Sequence, residues 1–87
     1  MDVQTRLAEL LALAESIGLS IRREALGGSG GGMCVLKGQR VLFVDTVADS
    51  ETQYERTLAA LAPLQQVQNH YLTPEVREDL DQQLRGK

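Results

Sequence analysis

Residues 27–32 read Gly-Gly-Ser-Gly-Gly-Gly, and no helix or strand interior tolerates five glycines among six positions. Any fold of this chain must therefore break there, and the flanking patterns say what is broken. From Leu19 to Leu26 the residues alternate, with Leu19, Ile21 and Arg23 on one face and Ser20, Arg22 and Glu24 on the other. That is a half-exposed strand, and its charges suit a sheet edge. Met33 to Lys37 resumes as a strand, and Gly38-Gln39 carries the Gly-first signature of a tight type II′ hairpin turn. Arg40 to Thr46 completes the hairpin, and its run Val41-Leu42-Phe43-Val44 is apolar on both faces, as expected of a central strand covered above and below.

Helical patterns lie on either side of these strands. Val3, Leu7, Leu10, Leu11, Ala14 and Ile17 share one helix face, with Asp2 placed to cap its start and Gly18 to end it. A second helix opens with Ser50 and Gln53 as a capping box, buries Tyr54, Leu58 and Leu61, and stops near Ala62, because Pro63 disfavours helix at the residue before it. Val67 to Leu72 reads as an extended connector or short strand. Thr73-Pro74 then starts a last helix carrying Val76, Leu80 and Leu84. The expectation is a single α+β domain over residues 1–87: helix, three-stranded antiparallel sheet, helix, connector, short C-terminal helix.

Length and charge narrow the function. A chain of 87 residues has room for one core. Net charge is −3, and the nine Lys and Arg are scattered, with only Arg22-Arg23 adjacent. Nucleic-acid binding draws most of its affinity from a basic surface that releases counterions, so DNA or RNA is not an expected partner. No apolar run approaches the roughly 20 residues that span a bilayer, and the start of the chain has no basic segment followed by an apolar one. No membrane contact is expected, and the expected location is the cytoplasm. Cys34 is the only cysteine and His70 the only histidine, which excludes zinc fingers, HExxH peptidases and CxxC redox centres.

The glycine run is the most conspicuous candidate site. Glycines let backbone N–H groups converge on an anion. Phosphate loops lead into a helix whose dipole helps to hold the charge; this one leads into the strand Met33-Cys34-Val35, and no Lys-Ser or Lys-Thr pair follows. Ordering such a loop costs about 1–2 kcal/mol per residue in backbone entropy. The plain reading is a flexible connection between strands; the alternative is an anion site built from Gly28, Ser29, Gly30 and Gly31 with Arg22 or Arg23.

Other candidates are isolated. Cys34, between Met33 and Val35, fits a covered strand residue better than a nucleophile. His70 lies in the connector, without companions for a metal site. Asp45 ends a strand, where carboxylates serve active sites but more often cap turns. Glu75, Glu78, Asp79 and Asp81 form the solvated side of the last helix and lack the glycine and spacing of a calcium loop.

Helix, sheet, then a helix following Val41-Leu42-Phe43-Val44-Asp45 resembles the ImmA/IrrE-type metallopeptidase-like domain. There a comparable strand leads to a helix with TLAHELGH. The corresponding stretch here is Thr57-Leu58-Ala59-Ala60-Leu61-Ala62-Pro63-Leu64. "TLA" is kept, but the metal-binding histidines fall on Ala60 and Leu64, and the catalytic Glu on Leu61. The resemblance implies a scaffold lacking the HExxH zinc motif, and hence the metal-activated water that such hydrolysis needs. The hairpin from Cys34 to Asp45 and the segment Tyr71-Leu72-Thr73-Pro74-Glu75-Val76-Arg77-Glu78 are also similar to a family of small uncharacterised bacterial proteins, a kinship that implies no function.

No complete catalytic or metal constellation is present, and no cofactor is implied. The leading expectation is a non-catalytic protein-interaction or structural module, with a protein partner or a second copy meeting Val41, Phe43 and Tyr54. Behind it stand the anion site at Gly27 to Gly32, and an enzyme using Cys34, Asp45 or His70.

Overall fold

A computed structural model describes residues 1–86 and has the expected α+β class. Its elements are α1 (Val3–Ser16), β1 (Ser20–Glu24), β2 (Gly31–Leu36), β3 (Gln39–Asp45), α2 (Ser50–Leu61), α3 (Gln65–Gln68) and α4 (Pro74–Arg85).

Helix α1 forms as its pattern requires. The Asp2 carboxylate accepts from the Thr5 N–H at 2.7 Å, Leu7, Leu10, Leu11, Leu13 and Ala14 are buried, and Gly18 takes a φ of 93° to turn the chain out. At α2 the cap is Asp49, which accepts from the Thr52 N–H at 2.8 Å, one residue ahead of the expected Ser50. The Gln53 side chain, freed from a capping box, donates to the Asp45 carbonyl at 2.7 Å and ties the helix to the end of β3. The helix ends at Leu61, ahead of Pro63. Residues 65–68 form one helical turn, α3, which takes in Val67 and Gln68, the first two residues of the stretch expected to be extended; fully buried Val67 pins it to the core. Thr73 does precede α4, but its N–H and hydroxyl both donate to the Glu9 carboxylate instead of the hydroxyl capping the helix.

The sheet order is β1-β3-β2, so the both-faced apolar strand is central as expected. The sheet is mixed and not antiparallel throughout. β1 pairs with β3 in parallel, Ser20 opposite Val41 and Glu24 opposite Asp45, while β2 and β3 form the antiparallel hairpin. The glycine loop carries the chain past the end of β3 to the far edge, and β2 returns it, leaving the middle place for the most apolar strand. Parallel neighbours need a crossover of at least about a dozen residues; here β2 with its two flanking loops supplies it. The hairpin closes on Leu36 opposite Gln39, so its central residues are Lys37 and Gly38, with φ of 52° and 80°. Two positive values make a type I′ turn, not the expected II′.

All the helices contribute to one core. Leu10 of α1, Leu61 of α2, Val67 of α3 and Val76 and Leu80 of α4 are fully buried in a cluster with Leu42 and Val44 of β3, and Ile21 and Met33 pack against its margin. Successive strand residues point to opposite sides. Val41 and Phe43 therefore face away from the helices, and neither belongs to that cluster. The expectation that β3 is covered above and below is corrected: among the described residues, helices cover one face of the sheet only.

Candidate functional site

The glycine loop is closed around Asp45. One carboxylate oxygen, Oδ1, accepts from the N–H groups of Leu26 at 2.8 Å and Val47 at 3.0 Å. The other, Oδ2, accepts from Gly28 at 2.6 Å and Gly30 at 3.1 Å. Asp45 is fully buried. Burial alone would raise its pKa, but these backbone donors outweigh it and hold the carboxyl down at about 2, against an ordinary 3.8. The nest of N–H groups suggested by the glycines exists, and the chain's own carboxylate fills it. Gly31, at a φ of 98°, lies so close to the Phe43 carbonyl that a Cβ there would collide with it.

The remaining members of the expected anion site do not converge on this loop. Arg22 points to the open side of the sheet, where it pairs with Glu24 at 2.7 Å and sits 5.7 Å from the centre of the Phe43 ring. Its neighbour Arg23 points to the other side, beside Leu7, Leu11 and Glu15 of α1. Ser29 lines a shallow depression of about 480 Å³ together with Leu26, Gly32, Cys34 and Phe43.

That depression belongs to the larger feature, the uncovered face. Gly32, Cys34 and Leu36 of β2 stand in register with Phe43, Val41 and Gln39 of β3, and Arg22 and Ser20 of β1 continue the rows. A second hollow of about 430 Å³ lies between Arg22, Leu36, Lys37 and Val41. Val41 is buried by its neighbours on this face; Leu36 is 43% exposed, Leu26 38%, and Cys34 is exposed. Packing of this apolar row is unfinished within one chain.

The two edges differ sharply. β1 carries Arg22, Arg23 and Glu24, which discourage pairing. β2, Gly-Gly-Met-Cys-Val-Leu, has no charge and no proline. Its narrow pairs with β3 fall at Leu36, Cys34 and Gly32, set by the two-residue turn and continued by the Asp45 N–H donating to the Gly30 carbonyl. The N–H and C=O of Met33 and Val35 therefore point outward, and among the described residues nothing accepts from or donates to them.

Of the residues expected at an interface, Val41 and Phe43 lie on this face and Tyr54 does not. Tyr54 is 4% exposed in the helical core, its hydroxyl donating to Asp79 at 2.7 Å. Burial, reinforced by the Asp79 carboxylate, raises its pKa well above the ordinary phenol value. Arg6 joins them, pairing with Asp79 at 3.0 Å and lying 5.1 Å from the centre of the Tyr54 ring. This triad locks α1, α2 and α4 together; sequence reading placed Asp79 only among solvated carboxylates.

Cys34, Asp45 and His70 do not form one constellation. Cys34 is on the exposed β2, Asp45 is enclosed by the glycine loop, and exposed His70 takes part through its carbonyl, which accepts from Arg77 at 2.7 Å. No group of three His, Cys, Asp or Glu residues among those described is placed to hold a metal ion, and no helix among them is long and apolar enough to cross a membrane. In the stretch aligned with the peptidase motif, Leu61 is fully buried and Ala60 and Leu64 pack against the core. Comparison with protein families, with curated proteins and with solved structures finds no match.

Sequence reading did not single out the exposed edge formed by Met33, Val35 and Leu36. Their signal was the lack of charge in β2 beside a charged β1, and it became meaningful only once both strands were known to be edges.

Proposed function

We propose that this domain is a non-catalytic protein-contact module of the cytoplasm that associates with a second copy of itself along the free β2 edge, where that edge borders the uncovered side of its sheet. The one-sided packing carries the reading. Helices α1 and α2 pack against the side of the sheet that carries Leu42 and Val44, whereas Phe43, Cys34, Leu36 and Leu26 line the opposite side, where no helix among the described residues joins them. Contiguous apolar surface of this kind on a small domain marks a contact surface. A second copy suits it, because the edge that would meet its twin has no charge to repel itself. An anion site at the glycine loop is the weaker reading, since an incoming anion would have to displace the Asp45 carboxylate from its donors.

Sedimentation equilibrium over a wide concentration range tests this. The expected result is a reversible dimer, with Leu36→Lys shifting it to monomer while the circular dichroism spectrum is unchanged. A monomer mass at every concentration would reject the reading.

A further inference from the structure

Building on that self-association, we infer that the two copies join edge to edge through β2, antiparallel, with the two-fold axis passing beside Cys34. The β3 strands would then be bridged by a β2 pair in one continuous sheet, with the helices of both copies on the same side.

Charge selects the edge. A symmetric contact sets each strand against its own copy. Pairing through β1 would bring Arg22 and Arg23 close to their counterparts, and like charges facing each other across strands are destabilising. Pairing through β2 brings no charges together within the strand.

Hydrogen bonding and shape select the register. Met33 and Val35 hold the outward-pointing backbone groups, so they must exchange bonds with the partner strand. Both sheets keep their helices on one side only if residues of like facing are opposite each other. Centring on Cys34 meets both conditions: Met33 bonds with the second copy's residue 35, and Val35 with its residue 33. It also sets Leu36 opposite residue 32 of the other copy. Leu36 is 43% exposed, whereas a Cβ built on Gly32 meets nothing within 4 Å and Gly32 lies in the depression of about 480 Å³ beside Leu26 and Phe43. The projecting leucine and the hollow lie two residues to either side of Cys34, and the two-fold axis exchanges them. Centring on Met33 instead would set Gly32 opposite Cys34 and leave Leu36 beyond the paired strand.

In the proposed register the two Cys34 residues form a non-hydrogen-bonded pair, with Cα atoms about 4.5 Å apart, within disulfide reach. Oxidation of the full chain with diamide supplies the test: two thiols give up their hydrogens to diamide, which becomes the hydrazine, and a disulfide forms between copies. The comparison set is the unaltered protein, Met33→Cys in a Cys34→Ser background, and Leu36→Cys in the same background. Their sedimentation is measured alongside, which shows that each still associates. Cys34 should cross-link at least about tenfold faster than either relocated cysteine, because only there are the paired thiols at high effective concentration. Fastest linkage through residue 33 would overturn the register. Dimers by sedimentation without preferential linkage at residue 34 would overturn edge pairing but leave self-association standing. Monomers throughout would remove both.

Discussion

The Asp45 carboxylate accepts a 2.6 Å hydrogen bond from the Gly28 N–H, joining the last residue of the central strand to the middle of the loop that crosses over it. This bond and its companions from Leu26 and Gly30 explain how a glycine-rich stretch with so much conformational freedom holds one path. They also put the loop's donors on a buried anion of the same chain.

Asp45→Asn should loosen that path. An amide keeps one acceptor oxygen but turns an NH₂ group towards N–H donors, and it removes the charge that strengthens the remaining bonds. The expected outcome is a lower urea midpoint and amide exchange at Gly28 and Gly30 faster by at least about tenfold, with the helical amides much less affected. Equal exchange in both proteins would show that the carboxylate does not hold the loop.

Stability should fall in acid through the same group. The folded carboxyl is held at about 2, below its ordinary 3.8. Its contribution is therefore fully present above the ordinary value and is lost as the pH falls from about 4 towards 2. The caps Asp2 and Asp49 are lowered in the same direction, mainly by the N–H groups of Thr5 and Thr52. Urea midpoints measured between pH 7 and pH 2 should be level at first and then decline over that acid range. In Asp45→Asn the acid decline should be shallower.

Within the glycine run, positions should differ in tolerance. Gly28→Ala meets open space and incurs only the left-handed backbone strain, about 1 kcal/mol. Gly31→Ala adds a collision with the Phe43 backbone, which cannot swing aside without breaking the sheet, and should cost roughly 2–4 kcal/mol. Urea unfolding of the two variants measures the difference, and equal losses would contradict the close approach of β2 to β3.

Tyr54→Phe removes a hydroxyl bonded to Asp79 without changing the shape of the core, and should destabilise the fold by about 1–2 kcal/mol. Self-association should be unchanged, because Tyr54 lies on the helical side. A variant that dissociates the dimer while remaining folded would place the interface there instead.

How far the chain could be read follows from the range of the interactions. α1 was legible because its Asp2 cap and helix-face periodicity are local, and α4 because Pro74 and the spacing of Val76 and Leu80 are local even though Thr73 does not cap it; Val41 to Val44 announced a central strand through apolar residues at successive positions. Parallel pairing of Ser20 with Val41 was not legible, since it depends on which side of β3 the chain chooses after a loop of glycines. Tyr54 shows the converse error: a large residue on a buried stripe resembles a contact residue until its partners, Arg6 and Asp79, are known from other helices. Asp45 was noticed as a strand-end carboxylate, but its role as the loop's anchor needed the crossover. Val41 and Phe43 share a face by strand alternation, but that the helices leave this face uncovered was not legible, since it depends on which side of the sheet α1 and α2 pack.

Amide hydrogen exchange at Met33 and Val35, followed by nuclear magnetic resonance as the protein is diluted, tests self-association through the free edge most directly. Both N–H groups point away from β3 and have no acceptor among the described residues, so the account predicts slow exchange in concentrated protein that quickens as the dimer dissociates. Fast exchange at every concentration, with Cys34 protected throughout by its pairing to Val41, would contradict it.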